Sequence, residues 1–239
     1  MRPIAWTCPD GTWGVDCNTK LSDKTAAAMA TAHDAQHGPS FVVRYVSLGM
    51  PRPGDITIDE VASILRAGLA LMLVQHCRLP GWTATGMQGA ADGSSAARQA
   101  AIVGYPQGCH IAVDMEGLAN SGSEVADYIT QWAAAVRAVG YRAMVYVGYD
   151  AGLGAAELYA IPGIDAYWSD MAGRQVAVRG CCMRQHAQTT IAGVPVDPDL
   201  VTADALGGLP VMMRDADQAS GDAADGHIAS GQDRVTPVA

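Results

Sequence analysis

Apolar positions along the chain fall into short continuous runs separated by longer segments of helical spacing. The runs read as strands: "WGVDC" (13–17), "FVVRYVS" (41–47), "LALMLVQHC" (69–77), "HIAVDME" (110–116), "RAMVYVGY" (142–149) and "DAYWSDM" (165–171). Weaker ones are "MRQHAQ" (183–188) and "VPVDPDLV" (194–201). Most are apolar throughout rather than alternating, as expected of strands covered on both faces. Between them the spacing predicts helices over 22–38, 57–68, 89–105, 121–140 and 152–160. The first is Ala-rich, with Ser22 or Asp23 as cap and Gly38 as stop. The second has Thr57 three residues before Glu60, a capping-box spacing, and ends at Gly68. The third is interrupted by glycines. The fourth puts Val125, Tyr128, Ile129, Trp132 and Val136 on one stripe, with Ser121 and Ser123 as candidate caps.

Repeated strand–helix alternation predicts parallel βα units. Eight strands in about 200 residues fit a (β/α)8 TIM-like barrel, modified by short or missing helices in the last third. An open doubly wound sheet is the runner-up, but no GxGxxG follows the first strand. The boundary is expected near Pro210, giving a barrel domain over 1–210. Residues 211–239, rich in Asp, Gly, Ala and Ser, read as a flexible polar, acidic tail.

Composition narrows the function. The 239 residues are 49% apolar and 16% charged, with formal net charge −9, a globular composition. The negative charge and the lack of a Lys/Arg cluster argue against nucleic-acid and anionic-membrane partners. No run approaches the roughly 18 apolar residues of a membrane span. The N-terminus is broken by Pro3, Pro9, Asp10 and Gly11 and has no signal-peptide h-region. A monomer made in the cytoplasm is expected, acting at the cell wall or periplasm only after release by another route. The six cysteines match no zinc spacing. Cys17, Cys77 and Cys109 are expected in the core, and Cys8 pairs with Cys17 or with the Cys181–Cys182 doublet only in an oxidising compartment.

The acids concentrate at strand ends. Asp16 ends the first strand, Asp114 and Glu116 the fourth, and Asp170 the sixth; Asp197 and Asp199 lie in the eighth. In such barrels active sites form at the C-terminal strand ends. A single acid there also serves as a turn residue or helix cap. Two acids at i and i+2 share a strand face, so Asp114 and Glu116 enter the barrel mouth together. Asp16 and Asp197 are expected to be neighbours across the closure. Clustered carboxylates have their pKa values driven apart, which supplies an acid and an ionised partner in one site. Glycoside hydrolysis needs that combination; divalent-metal binding needs the same residue types. Tyr45, Tyr146, Tyr149 and Trp168 lie near the same ends and offer planes for a sugar ring. Gln75, His76, Gln185 and His186 are also nearby. No GxSxG elbow supports a Ser–His–Asp hydrolase, and no cysteine has a nucleophile context.

Several of these segments together resemble a known family. "WGVDCN", "FVVRYVS", "ITIDEVASILRAGLALMLVQH", "GYPQGCHIAVDME" and "VPVDPDLV" resemble, in order, the motifs of the bacterial glycoside-hydrolase-like domains called domain of unknown function 1906. Their wider relatives are the family 25 glycoside hydrolases, lysozyme-type muramidases with a DxE strand. The resemblance spans residues 13–205. It implies a modified barrel with its pocket at the C-terminal strand ends, and a peptidoglycan-directed glycosidase of lysozyme or phage endolysin type. Glu116 would be the proton donor, with Asp114 as the partner that positions or stabilises the developing charge. Asp16 and Asp197 would complete the acidic pocket, although the "VDPD" motif also allows Asp199 the last position. Tyr45, Tyr146, Tyr149, Trp168, Asp170 and Gln185 are the expected substrate contacts, with no metal or cofactor. The alternative from another class is a glycan-binding domain that keeps the pocket without the chemistry, and a third is a metal-dependent hydrolase using the same acids.

Overall fold

A computed structural model of the chain describes residues 1–32 and 38–219. The elements, in chain order, are β1 (Pro3–Thr7), β2 (Trp13–Asp16), α1 (Asp23–Thr31), β3 (Phe41–Val46), α2 (Ile58–Arg66), β4 (Ala70–Gln75), α3 (Gly86–Ile102) and β5 (His110–Met115). These are followed by α4 (Ser123–Ala138), β6 (Arg142–Val147), α5 (Ala155–Ala160), β7 (Ala166–Ser169), β8 (Met183–Gln185), β9 (Thr189–Ile191), β10 (Val194–Val201) and β11 (Val211–Asp215).

Eight strands close on themselves in the order β4-β3-β2-β10-β8-β7-β6-β5, with β5 returning to β4. This is the predicted barrel with its predicted modification. No helix lies between β7 and β10. One feature departs from a (β/α)8 unit: β10 runs antiparallel to both β2 and β8, while the other barrel pairings are parallel. Without a crossover helix the chain returns by a hairpin, which reverses strand direction.

Period-2 alternation divides the strands between two cores. Phe41, Val43, Ala70, Met72, Val74, Ala112, Met144, Ala166 and Trp168 fill the barrel. Val42, Leu71, Leu73, Ile111, Val113, Ala143 and Val145 face outward against the helices. The predicted α4 stripe is buried in full. Its N-cap is Gly122, which has no side chain to accept a bond, rather than either serine. The glycines of α3 have a packing role. A Cβ on Gly89 would lie 2.1 Å from the Tyr128 carbonyl oxygen, and one on Gly93 would lie 2.5 Å from that of Trp132. They let α3 and α4 approach backbone to backbone, and α3 starts earlier than predicted, capped by Thr85.

Arg44 shows how one outward-facing residue ties several segments together. It is fully buried. Its Nε donates to Glu60 Oε1 at 2.7 Å, its Nη1 to the Cys17 carbonyl and its Nη2 to the Gly54 carbonyl at 2.9 Å. Glu60 also accepts from the Leu21 amide at 2.8 Å. Half of the predicted capping box forms, with Thr57 accepting from the Glu60 amide, but the Glu60 carboxylate turns inward to Arg44 instead of back to the helix start.

The expected boundary near Pro210 is one strand too early. β11 pairs antiparallel with β1 along five residue pairs and touches β4 at Met213–Leu71, and Val211 to Asp215 are all buried. The polar flank after Met213 hid this strand, and β1 was hidden by Pro3 and its half-exposed alternation. The rest of the expected tail, 220–239, and the end of the first predicted helix, 33–37, lie outside the described residues. All six cysteines are free, and Cys77 is half-buried rather than in the core.

Truncating one member of a buried ion pair strands the other. Glu60→Ala is expected to cost roughly 3–5 kcal/mol, read as a lower urea midpoint with an unchanged denaturant slope.

Candidate active site

β10 decides the composition of the barrel mouth. Its register sets Asp197 opposite Asp16 and Asp199 opposite both Gly14 and Gln185. Asp16 ends β2, and parallel pairing of β5 with β6 puts Asp114 beside Tyr146. The next pairing, β6 with β7, puts Tyr146 beside Trp168. Five strands from distant parts of the chain thus point acids and aromatics into one space. A cavity of about 160 Å³ lies there, lined by Tyr45, Val74, Asp114, Glu116, Tyr146, Trp168, Gln185 and Asp197.

The polar contacts form a connected layer. Asp16 accepts from Gln185 Nε2 at 2.8 Å and from the Tyr45 hydroxyl at 3.2 Å. The Tyr146 hydroxyl donates to Gln185 Oε1 at 2.9 Å. Gln185 therefore has its amide orientation set from both sides. Tyr146 and Trp168 pack with ring centroids 4.4 Å apart. Below the cavity, the Trp168 indole donates to Asp199 at 2.9 Å. Tyr45 stacks on His76, whose Nε2 lies 3.1 Å from Asp55.

Glu116 sits one residue beyond β5, and its place depends on a missing side chain. A Cβ on Gly148, the residue after β6, would lie 2.1 Å from Glu116 Cγ. The Glu116 side chain occupies that space, and its backbone carbonyl accepts from the Trp82 indole at 2.8 Å.

Burial dominates the electrostatics. It pushes Asp16 up to about 7, against the bonds from Gln185 and Tyr45 and with help from the Asp197 charge. Asp114 is 7% exposed; burial and then the Glu116 charge raise it well above the usual range. Burial also raises Asp199, reinforced by Asp16. Glu116 and Asp197 are more open and are raised too, first by desolvation. Such closely packed carboxyls titrate as a group, their proton affinities raised by burial and by neighbouring charge. The arrangement can donate a proton to a bound oxygen and place a second carboxyl beside a developing positive charge.

Not every expected residue reaches the cavity. Asp114, Glu116, Asp197, Tyr45, Tyr146, Trp168 and Gln185 line it, and Asp16 lies directly behind Tyr45 and Gln185. Tyr149 is 44% exposed and lies outside the lining, beside Gly117. Asp170 is also outside, paired with Arg174 at 3.0 Å. Gln75 is structural, bonding Ser47, Asp92 and Trp132, and His186 packs on Trp13. Asp199, the alternative that the "VDPD" motif allowed for the last acidic position, is a buried member of the acid layer beneath Asp197. One residue was not anticipated here. Cys77, two residues past β4, brings its sulfur within 4.8 Å of carboxylate oxygens of Asp114 and Glu116. Its position depends on the β4–β5 pairing, which no local pattern reveals.

A closed eight-stranded barrel with one reversed strand and an acidic mouth is a glycoside-hydrolase-like architecture. Residues 32–194 match the family described as Rv2525c-like, glycoside hydrolase-like domain, and the chain belongs to that family. No curated protein matches the chain. Among solved structures, an uncharacterized B. stearothermophilus protein shares 19% identity at TM-score 0.61, over 83% of this chain and all of that one. The muramidase from Trichobolus zukalii shares 14% identity at TM-score 0.53, over 80% and 93% of the two chains. The modular autolysin LytC from Streptococcus pneumoniae shares 10% identity at TM-score 0.54, over 80% of this chain and 46% of that one. These likenesses establish a shared fold.

The raised Asp16 gives a stability test. An acid whose folded pKa exceeds its unfolded value of 3.8 binds more protons when folded, so stability is full below 3.8 and is lost as pH rises toward about 7. Asp16→Asn keeps the shape, with Oδ1 able to accept from Gln185 and Nδ2 able to donate to Tyr45. It is expected to raise Tm at pH 8 and leave it nearly unchanged at pH 3.5, measured by calorimetry.

Proposed function

We propose that this protein is a peptidoglycan-directed glycoside hydrolase of lysozyme or endolysin type, with Glu116 as proton donor. The observation that carries this reading is that Glu116 and Asp114 line the mouth cavity together with Tyr146, Trp168 and Gln185. The family and the shared fold with a muramidase and an autolysin support the substrate class.

The chemistry follows from the geometry. A sugar ring rests against the Tyr146–Trp168 pair, with its hydroxyls toward Gln185 and Asp197. Glu116, its proton affinity raised by desolvation, gives its proton to the glycosidic oxygen, and the leaving sugar departs with the bonding electrons. Positive charge grows at the ring, beside Asp114. An ionised member of the carboxyl cluster stabilises that charge far more than water would, because it is already in place. Water then completes the hydrolysis and restores the proton to Glu116.

Glu116→Gln is expected to abolish release of reducing sugar from purified cell walls while circular dichroism stays unchanged. Full activity in that variant, or glycan binding by the wild type without turnover, would overturn the assignment. Gly148→Ala is a separate check: displacing Glu116 should lower kcat at least about tenfold, with little loss of Tm. In the wild type the acid must be protonated to act. Because its pKa is raised above the ordinary 4.5, activity should persist above that pH and fall as pH rises through the raised value.

A further inference from the structure

The mouth holds a group that glycoside hydrolysis does not use. Cys77, Asp114 and Glu116 each offer a donor atom, and these atoms lie within 4.8 Å of one another. Asp114 is more than nine-tenths buried and its carboxyl is bonded by the Cys77 thiol and backbone amide, yet among the described residues its Oδ1 has no hydrogen-bond partner. A buried carboxylate oxygen facing a cavity without a donor is an unmet demand for a proton or a cation.

We propose that Cys77, Asp114 and Glu116 form a binding site for a thiophilic divalent cation of the Zn²⁺ type, and that its occupancy shuts off hydrolysis. The blocking part rests on the role assigned above to Glu116 and Asp114; the binding part does not.

The donor set selects the metal. One sulfur and two carboxylates suit a borderline-soft ion with four-coordinate preference, and the open cavity leaves the fourth position to water. Ca²⁺ wants six to eight oxygens and Mg²⁺ keeps most of its waters, so neither gains from the sulfur. Zn–S near 2.3 Å and Zn–O near 2.0–2.2 Å require the donors to close up by about 1 Å. Cys77 and Glu116 are half-exposed and can rotate, while buried Asp114 stays as the anchor. On binding, any proton on the Cys77 thiol or on the Asp114 and Glu116 carboxyls passes to solvent, and the freed lone pairs go to the metal. The metal then occupies both carboxyl groups, leaving Glu116 no proton to give and the sugar no room.

The test uses the full chain with Zn²⁺ and, as a spectroscopic probe of sulfur ligation, Cd²⁺. The wild type should bind one Zn²⁺ by calorimetry and show a thiolate-to-cadmium charge-transfer band in the near ultraviolet. Cys77→Ser should weaken Zn²⁺ binding at least about tenfold and remove the band. Cys181→Ser, a control at another partly exposed cysteine, should change neither. Asp114→Asn should weaken binding with the thiol still present, which covers the case of a Cys77 variant that does not fold. A band that survives in folded Cys77→Ser, or a wild type that binds no Zn²⁺, would overturn the site. On cell walls, Zn²⁺ should inhibit the wild type and spare Cys77→Ser. Metal binding through Cys77 in a protein that hydrolyses nothing would retain the site and sink the hydrolase reading. Hydrolysis indifferent to Zn²⁺ would do the reverse.

Discussion

The reversed strand β10 is the constraint on which the rest depends. Seven parallel strands leave a gap between β2 and β8, and only β10 fills it. Closing the barrel removes the last open hydrogen-bonding edge of these strands. Because β10 is antiparallel, it crosses the mouth from the opposite direction and brings two acids from its middle. Asp197 meets Asp16 in register, and Asp199 lies one layer deeper opposite Gly14. The same pairings that complete the sheet thereby complete the acidic layer.

That layer works against stability. Asp16, Asp114 and Asp199 are buried with raised proton affinities, and charged forms there carry a desolvation cost that a hydrophobic mouth would avoid. The scaffold offsets it elsewhere. The interior below is filled by Phe41, Met72, Met144 and Met183 among small alanines, and the outer layer is locked by the α3–α4 backbone approach and the Arg44–Glu60 pair. A rigid surround is also what holds carboxyl groups close together against their mutual repulsion. Gln185 shows the economy of the arrangement: one side chain from the shortest barrel strand bonds Asp16 and Tyr146 at once.

Side-chain alternation explains why neighbours in sequence serve different ends. Arg44 and Tyr45 are adjacent, yet one clamps α2 to the outside of the barrel and the other reaches the inner acid layer. On β5, Val113 and Met115 pack outward while Ala112 and Asp114 point inward. A one-residue slip in β5 would send Asp114 and Glu116 into the helix layer, so the apolar pattern that sets the register also places the proposed chemistry.

The sequence by itself determined the alternation of strands and helices, the missing helices of the last third, the α4 stripe and the pairing of Asp114 with Glu116 on one face. All of these are short-range: they follow from period, capping residues and i, i+2 spacing. It also brought Asp16 and Asp197 together, through the expectation that first and last strands meet at closure. The tertiary structure alone decided the direction of β10, the docking of β1 and β11, the diversion of Glu60 from its helix cap to Arg44, and the exclusion of Tyr149 and Asp170 from the cavity. It alone placed Cys77 beside the two acids. Each of these depends on which strands lie side by side, and that is settled by closing the barrel around a shared core, not by any local run of residues.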